Sequence, residues 1–200
     1  MHDTPLGRAI GFLREADKLK SVLRRSRLSF DPERRENDAE HSWHLALMAI
    51  VLFDRLAPPG LDRARVLGMI VVHDLVEIDA GDTFVYDHAH AASQVEREEL
   101  AADRIFALLP EAEAADLRGL WDEFEARVTT EARFARALDR VQPILQNIFT
   151  EGASWRAHGV TAAQVHAVNG PLVRDGAPEL WAHVEALIDD AVARGWLPLR

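Results

Sequence analysis

Two histidines and two aspartates, far apart along this chain, have the residue types of a metal site. His41 lies in the segment ENDAEHSW, the pair His73-Asp74 in VVHDLVEIDAGD, and Asp139 in RALDRVQP. Neutral imidazole and carboxylate together are suitable ligands for a divalent ion such as Mn, Co, Fe, Ni or Zn. If the fold brings the four residues together, we expect metal-assisted hydrolysis.

A His-Asp pair is weak evidence by itself. The chain has nine histidines, and a second pair, His2-Asp3, occurs in it; about one such pair is expected by chance. What distinguishes His73-Asp74 is that it follows the apolar residues 69–72 inside a predicted buried helix. Charged groups are costly there unless they are paired or bound to a metal.

Each of these residues also has a purely structural interpretation, which the sequence leaves open. His73 and Asp74 could form a hydrogen-bonded pair in a core. His41 could be an exposed residue of a first helical turn, and Asp139 could be a capping or salt-bridging residue.

Further carboxylates follow the His-Asp pair. Glu77 comes four residues after His73 and three after Asp74, so it projects from nearly the same face if one helix continues through this segment. Its carboxylate could orient a water molecule or pass a proton to a leaving group. Asp79 and Asp82 add acceptors where the segment ends.

The elements that must position these residues are predicted to be helices. Apolar residues recur with helical spacing nearly everywhere, and no stretch shows sustained strand-like alternation. We therefore expect an all-α fold, a single compact helical bundle spanning residues 1–200. Its metal-site core would cover about residues 10–150, with C-terminal helices over 151–200.

Capping residues mark several predicted helix starts. These are Thr4 before Pro5, Asn37 with Glu40, Asp62, Ser93, and Thr161 with Gln164. The first helix should carry Leu6, Ile10 and Leu13 toward the interior and end in the arginine cluster at residues 24–27. Pro143, four residues after Asp139, is expected to kink its helix and open a cavity there.

Composition restricts the classes of partner. The 33 acidic and 23 basic residues give a formal charge of −10, which disfavours nonspecific binding of nucleic acid. The chain has no cysteine, so disulfides and thiolate metal sites are excluded. Residues 1–20 have no continuous apolar core, so we expect no signal peptide, no membrane partner and a cytoplasmic location.

The order of these residues in a helical chain of this length resembles a known signature. His41, His73-Asp74 and Asp139 match the H…HD…D pattern of the HD-domain metal-dependent phosphohydrolases. Two local motifs narrow the resemblance: R-x-E-N-x-x-E-H-S at residues 34–42 and H-D-x-x-E-x-x-x-G-D at residues 73–82. They are similar to the small branch of the family that contains the 5′-deoxynucleotidases. The resemblance covers roughly residues 10–150.

The resemblance implies a full set of roles. The four residues of the signature would hold one divalent ion (Mn, Co, Mg, Fe, Ni or Zn), Glu77 would act on the nucleophilic water, and Asp82 would help to position substrate or water. The implied reaction is hydrolysis of a deoxynucleoside 5′-monophosphate to deoxynucleoside and phosphate. A homodimer is also implied, and the long apolar C-terminal helix is a mild hint of an interface.

One position departs from the family pattern. Alignment of the first helix brings Arg24 to the family's arginine position, but Arg25 stands where the deoxynucleotidases have a tryptophan. Both arginines are candidate substrate-binding residues. Because the tryptophan is associated with preference for deoxyribose, the resemblance does not settle the choice of sugar.

Alternative functions and weaker candidate residues remain. The substrate could be another phosphoester, such as a nucleoside triphosphate, a cyclic nucleotide or a guanosine alarmone, or the chain could be a non-catalytic metal-binding helical protein. His44 is interpreted as a residue beside the core, and His88 and His90 as ordinary loop histidines rather than a second metal site. The tryptophans at 121, 155, 181 and 196 are interpreted as core or interface residues.

Overall fold

The computed structural model describes residues 4–86 and 88–200, with only the backbone described for residues 88–92. In this part the chain is mainly helical, as expected. The helices are α1 (Pro5–Ala16), α2 (Asp38–Leu56), α3 (Arg63–Val72), α4 (Glu77–Ala80), α5 (His88–Phe106), α6 (Glu111–Ala126), α7 (Thr130–Phe149), α8 (Ala153–His158), α9 (Ala162–Gly176) and α10 (Pro178–Ala193). A 3₁₀ turn, Asp17–Ser21, follows α1, and two strands, β1 (Leu23–Leu28) and β2 (Asp31–Asn37), precede α2.

The β1–β2 hairpin corrects the all-helical expectation for this segment. The strands are antiparallel, with Leu23 opposite Asn37 and Leu28 opposite Asp31, and the first helix ends at Ala16 rather than in the arginine cluster. The hairpin is charged and lacks apolar alternation, so its sequence gives no strand signal. Contacts with the rest of the chain stabilise it, including a 2.9 Å hydrogen bond from Ser154 Oγ to the Arg25 carbonyl.

The predicted helix caps are confirmed at four starts. Thr4 and Asp62 accept hydrogen bonds from backbone amides of the first turns of α1 and α3. Capping boxes join Asn37 to Glu40 at α2 and Thr161 to Gln164 at α9. Ser93 is not a cap, because α5 begins earlier, at His88.

The segment after α3 is not one continuous helix. α3 ends at Val72, and the chain passes through turns before α4 begins at Glu77. Backbone hydrogen bonds continue across the break, from the His73 amide to the Met69 carbonyl and from the Glu77 amide to the Asp74 carbonyl, each 3.0 Å long. The break leaves His73, Asp74 and Glu77 close together although they no longer share one helical face.

The prediction that Leu6, Ile10 and Leu13 of the first helix face the interior is wrong. Leu6, Ile10 and Leu13 are 71%, 58% and 67% exposed. Phe12 is the buried residue of α1 and packs with Val72 and Phe106 in a hydrophobic cluster. The apolar pattern of α1 therefore predicted the helix but not the side that faces the core.

Helix α7 is the central element of the core. It packs against α2, α3, α6, α9 and α10, and Asp139 lies buried in its middle. The approach of α9 is so close that a Cβ atom at Gly176 would overlap the Arg133 carbonyl oxygen. Asp139 is thus carried by a helix that is enclosed on several sides.

In the part of the chain that the structure describes, no helix combines the length and apolarity needed to cross a bilayer.

Candidate metal centre

His41 lies in the first turn of α2 and is fully buried. Its Nδ1 is 3.0 Å from Gln142 Oε1, and Gln142 Nε2 donates a 2.9 Å hydrogen bond to Glu36 Oε1. A carboxylate only accepts, so the amide nitrogen of Gln142 must face Glu36 and its oxygen must face His41. Nδ1 of His41 therefore carries the proton, and Nε2 is left with a free lone pair in the neutral ring.

His73, at the end of α3, is held in the same tautomer. Its Nδ1 is 2.7 Å from the Ile70 carbonyl oxygen, which can only accept, so Nδ1 donates. Its Nε2 is buried and has no hydrogen-bond partner among the described residues. A histidine that donates from one ring nitrogen and presents the other is typical of a metal ligand.

The two Nε2 atoms converge on one carboxylate. Asp139 Oδ1 is 3.1 Å from Nε2 of His41 and 3.8 Å from Nε2 of His73. One ligand atom from each of the three residues lies within 4.8 Å of the other two. Lone pairs that face a carboxylate oxygen require a positive charge between them, a proton or a metal ion. The three residues therefore fit a divalent cation, both in chemistry and in arrangement.

Asp74 borders this group. Its Oδ1 is 3.1 Å from His73 Nε2, and its Oδ2 is 3.9 Å from His41 Nε2. Asp74 Oδ2 also accepts a 2.9 Å hydrogen bond from Arg24 Nη1. The four residues predicted as ligands are thus brought together from α2, α7 and the turn after α3.

The charges at the centre depend on one another. Burial raises the pKa of Asp139, but the neighbouring imidazoles of His41 and His73 outweigh it and hold this pKa well below its usual range. Burial lowers the pKa of His73, but Asp74 and Asp139 outweigh it, so this pKa is raised overall. Without an ion, protons therefore balance the carboxylates.

A second acidic group adjoins the centre. Carboxylate oxygens of Asp38, Glu77 and Asp82 lie within 4.8 Å of one another. Burial, followed by the charge of Asp74, raises the pKa of Asp38 to about 7 and the pKa of Glu77 well above its usual value. Burial also raises the pKa of Asp82. Both predicted catalytic residues, Glu77 and Asp82, therefore lie beside the predicted ligands.

The two candidate substrate-binding arginines differ in their surroundings. Arg24 is half-buried, and its Nη1 contacts Asp74 at 2.9 Å and Asp38 at 3.2 Å. Its Nε is 3.7 Å from Glu36 Oε2. Arg25 is exposed and lines the cavity beside the centre. Both arginines line the cavity, and Arg24 is in addition tied to the acidic residues.

The cavity has a volume of about 240 Å³, just below the range that is usual for small-molecule sites. Asp139 and Pro143 of α7 both line it, in agreement with the expected opening beside Asp139. Two arginines of α7, Arg136 and Arg140, also face it. Burial lowers the pKa of Arg140 to about 10, which leaves the guanidinium protonated at neutral pH.

Several residues of the site escaped sequence reasoning. Glu36 lies inside the R-x-E-N-x-x-E-H-S motif, but its role depends on the hairpin, which the sequence did not predict. Gln142 could have been found, because it follows Asp139 by three residues and so shares its side of the helix. Asp38, Arg136 and Arg140 carried no signal beyond their proximity to the predicted ligands.

The weaker candidates are placed as follows. His44 Nδ1 is 3.3 Å from Gln142 Nε2 and outside the metal group. The side chains of His88 and His90, and the pair His2-Asp3, lie outside the described residues. The tryptophans at 121, 155 and 181 are buried as expected, and those at 121 and 155 also line the cavity.

Fold and site together define a mainly helical protein whose buried histidine and aspartate side chains could hold a divalent metal ion beside a small cavity. A sequence model of the HD-domain family matches residues 16–181 of the chain. This chain belongs to the HD-domain family.

Known relatives carry related descriptions. A solved structure from Magnetospirillum magnetotacticum MS-1, described as a predicted metal-dependent phosphohydrolase, is 48% identical and has a TM-score of 0.92, covering 98% of this chain and 97% of that one. The 5′-deoxynucleotidase HDDC2 of Homo sapiens is 34% identical over 135 residues, 68% of this chain and 64% of the relative. The 5′-deoxynucleotidase hdd1 of Schizosaccharomyces pombe is 25% identical over 141 residues, 68% of this chain and 69% of the relative. The match thus spans just under two thirds of the human protein.

Proposed function

We propose that this chain is a metal-dependent phosphomonoesterase that hydrolyses nucleoside 5′-monophosphates, including deoxynucleotides, to nucleoside and phosphate. The observation that carries the proposal is the convergence of two imidazole Nε2 atoms on Asp139 at the wall of a cavity that Glu77 also lines. The 5′-deoxynucleotidases among the relatives supply the substrate class.

His41, His73, Asp74 and Asp139 are the proposed metal ligands. When bound, the ion would supply positive charge to the phosphate and make a water molecule more acidic. The hydrogen bonds that His41 and His73 donate from Nδ1 to Gln142 Oε1 and to the Ile70 carbonyl oxygen fix the rings in the tautomer that a ligand needs.

Glu77 is the proposed proton carrier. One of its carboxylate oxygens, Oε2, is buried without a hydrogen-bond partner among the described residues, and the residue lines the cavity. The reaction joins a water oxygen to phosphorus, breaks the bond from phosphorus to the 5′ oxygen and requires a proton on that oxygen. The ionised carboxylate of a group with a raised pKa is a stronger base, so it can take a proton from water, and the resulting carboxyl group can pass that proton to the leaving oxygen.

The remaining site residues are proposed to bind the substrate. Asp82 lies next to Glu77 and lines the cavity, where its carboxylate would accept a hydrogen bond from substrate or water. Arg25 lies at the position of the tryptophan in the deoxynucleotidase pattern, and its guanidinium would approach the sugar or phosphate. Arg24 holds Asp74 and Asp38 in place and contributes positive charge to the phosphate end.

We also propose the homodimer that the resemblance implies. The apolar residues of α10 pack into the core of the chain itself, so its apolar character does not by itself indicate an interface. Trp43, Leu47 and Ile50 instead form an exposed row along one face of α2. An exposed apolar face of this kind favours a protein partner, and a two-fold dimer would pair it with the same face of a second copy.

Light scattering on the purified protein tests the dimer. The expected mass is twice the 22.4 kDa of the chain, and Leu47→Glu should shift it to that of a monomer. A monomeric wild-type protein at micromolar concentration would rule the dimer out.

The enzymatic function is tested by phosphate release from paired ribo- and deoxyribonucleoside 5′-monophosphates with several divalent metals. We expect release that depends on added Mn²⁺ or Co²⁺. If phosphate is released from nucleoside triphosphates, cyclic nucleotides or alarmones but not from monophosphates, the substrate is one of those other phosphoesters. Metal binding with no hydrolysis of any of them would favour a non-catalytic protein.

A further inference from the structure

Helix α7 presents two arginines to the cavity, one on each side of Asp139 in sequence. Arg136 and Arg140 are four residues apart and so lie on the same helical face. Both line the cavity together with Asp139. A buried cation is costly unless it is paired, so the partners of each arginine decide what it can do.

Arg136 is already neutralised. Its Nη2 is 3.1 Å from both carboxylate oxygens of Glu125, and its Nη1 is 3.3 Å from Asp139 Oδ2. Its guanidinium also lies over the ring of Phe124, 4.6 Å from the centroid. These contacts hold Arg136 as a structural element of the cavity wall.

Arg140 lacks such a partner. In the described part of the chain it forms one ion pair, between its Nε and Asp139 Oδ2 at 3.7 Å, which is too long for a hydrogen bond. Its buried Nε has no hydrogen-bond partner among the described residues. Asp139 is also shared with His41, His73 and Arg136. Arg140 therefore carries a positive charge that its surroundings only partly balance.

We propose that Arg140 is a substrate-binding residue that contacts the phosphate group. This inference rests on the proposed phosphohydrolase activity and adds a residue to it. The guanidinium adjoins Asp139, so an anion held beside the metal ligands lies within its reach. Its planar array of N–H donors matches phosphate oxygens, which form short, charge-assisted hydrogen bonds with it.

Arg24 does not make this contact redundant. Its guanidinium is shared among Asp74, Asp38 and Glu36. A phosphate that binds Arg24 alone would compete with these carboxylates for its donors. Arg140 has one carboxylate partner among the described residues, Asp139 at 3.7 Å, so its donors meet less competition.

Calorimetric titration of inorganic phosphate into the Mn²⁺-loaded protein at fixed ionic strength tests the proposal without relying on turnover. Arg140→Gln should weaken phosphate binding by roughly 10- to 100-fold, the effect of losing a charge-assisted contact. Arg140→Lys should weaken phosphate binding less, because lysine keeps the positive charge and lacks only the paired, planar N–H donors of the guanidinium.

Arg133→Gln is the matched control. Arg133 lies on the same helix and forms an ion pair of similar length, with Nε 3.6 Å from Asp175 Oδ2, but it does not line the cavity. The phosphate affinity of the Arg133→Gln variant should equal that of the wild type. Metal content measured by mass spectrometry in each variant separates loss of phosphate from loss of metal.

Wild-type phosphate affinity in a folded, metal-loaded Arg140→Gln would overturn the proposal and leave Arg140 with a structural role. If this variant does not fold, Arg140→Lys decides, and unchanged affinity there also overturns it. Failure of the proposed function would be seen separately, as a wild-type protein that binds phosphate but releases none from any nucleotide.

Discussion

At the scale of single residues, the metal centre depends on the tautomers of two histidines. Gln142 Oε1 and the Ile70 carbonyl oxygen each accept a hydrogen bond from a histidine Nδ1, so both Nε2 lone pairs face Asp139. Sequence motifs identified His41, His73, Asp74 and Asp139 but not the groups that orient them. His73 is oriented by a local contact, with the Ile70 carbonyl three residues before it. His41 is oriented by Gln142, 101 positions away, and local spacing does not reveal such a pairing.

Replacement of Glu77 tests its proposed role. Glu77→Gln keeps the size of the side chain but removes its capacity to carry the proton, so kcat should fall by roughly 10²- to 10⁴-fold while the metal is retained. Steady-state kinetics with metal analysis measures both. Asp79→Asn is the control, because Asp79 pairs with Arg104 outside the cavity. Normal turnover by a fully metal-loaded Glu77→Gln would show that Glu77 does not carry the proton.

Metal affinity should increase with pH. In the metal-free protein, burial and the charge of Asp74 raise the pKa of Asp38 to about 7 and raise the pKa of Glu77. A nearby cation favours the ionised form of these carboxylates. Below their raised pKa, metal binding must therefore displace protons, which weakens it; above that pKa no proton has to leave. Titration of Mn²⁺ between about pH 6 and pH 8 should give a dissociation constant that falls with pH, with proton release at the lower end. An affinity independent of pH, without proton release, would contradict this coupling.

At the scale of elements, capping residues and apolar spacing predicted most helices, and the failures have identifiable causes. The β1–β2 hairpin was missed because its residues are charged and its stability comes from contacts such as the hydrogen bond from Ser154 to Arg25. α1 was predicted as a helix but with the wrong side inward, because Leu6, Ile10 and Leu13 are exposed and only Phe12 is buried. The break between α3 and α4 was missed because apolar residues continue through it, at Leu75 and Val76.

The contact between α7 and α9 provides a test of the packing around Asp139. Gly176→Ala places a methyl group against the Arg133 carbonyl oxygen, and such overpacking should cost about 1–3 kcal/mol of the free energy of unfolding. Gly119→Ala is the control, since a methyl group there meets no described atom within 4 Å apart from its chain neighbours and the nearby backbone of its own helix. Replacing this glycine inside a helix should raise the free energy of unfolding by about 0.5–1 kcal/mol. Equal stability of the two variants in urea denaturation would contradict the packing.

At the scale of the whole molecule, the His-Asp segment joins two hydrophobic clusters. Met69 and Ile70, just before it, belong to the cluster around α7. Val72 and Leu75 belong to the cluster that contains Phe12. An ion bound at His73 and Asp74 would therefore anchor both clusters at once.

Metal binding should accordingly stabilise the entire chain. An ion that binds only the folded protein raises its free energy of unfolding by RT ln(1 + [L]/Kd), about 2.7 kcal/mol at a hundredfold excess over Kd. Calorimetric melting of the stripped protein with and without Mn²⁺ should show a higher Tm with the ion. A Tm unchanged by saturating metal would contradict binding at this junction.

The central claim is that His41, His73, Asp74 and Asp139 hold a metal ion needed for phosphate release. The most direct test is phosphate release from a deoxynucleoside 5′-monophosphate by chelator-treated protein after Mn²⁺ is added back, in the wild type and in Asp139→Asn. Mn²⁺ should restore release in the wild type and not in the variant, whose amide keeps the shape of the side chain without its charge. Equal release by both proteins, or release by the stripped wild type without added metal, would contradict the account.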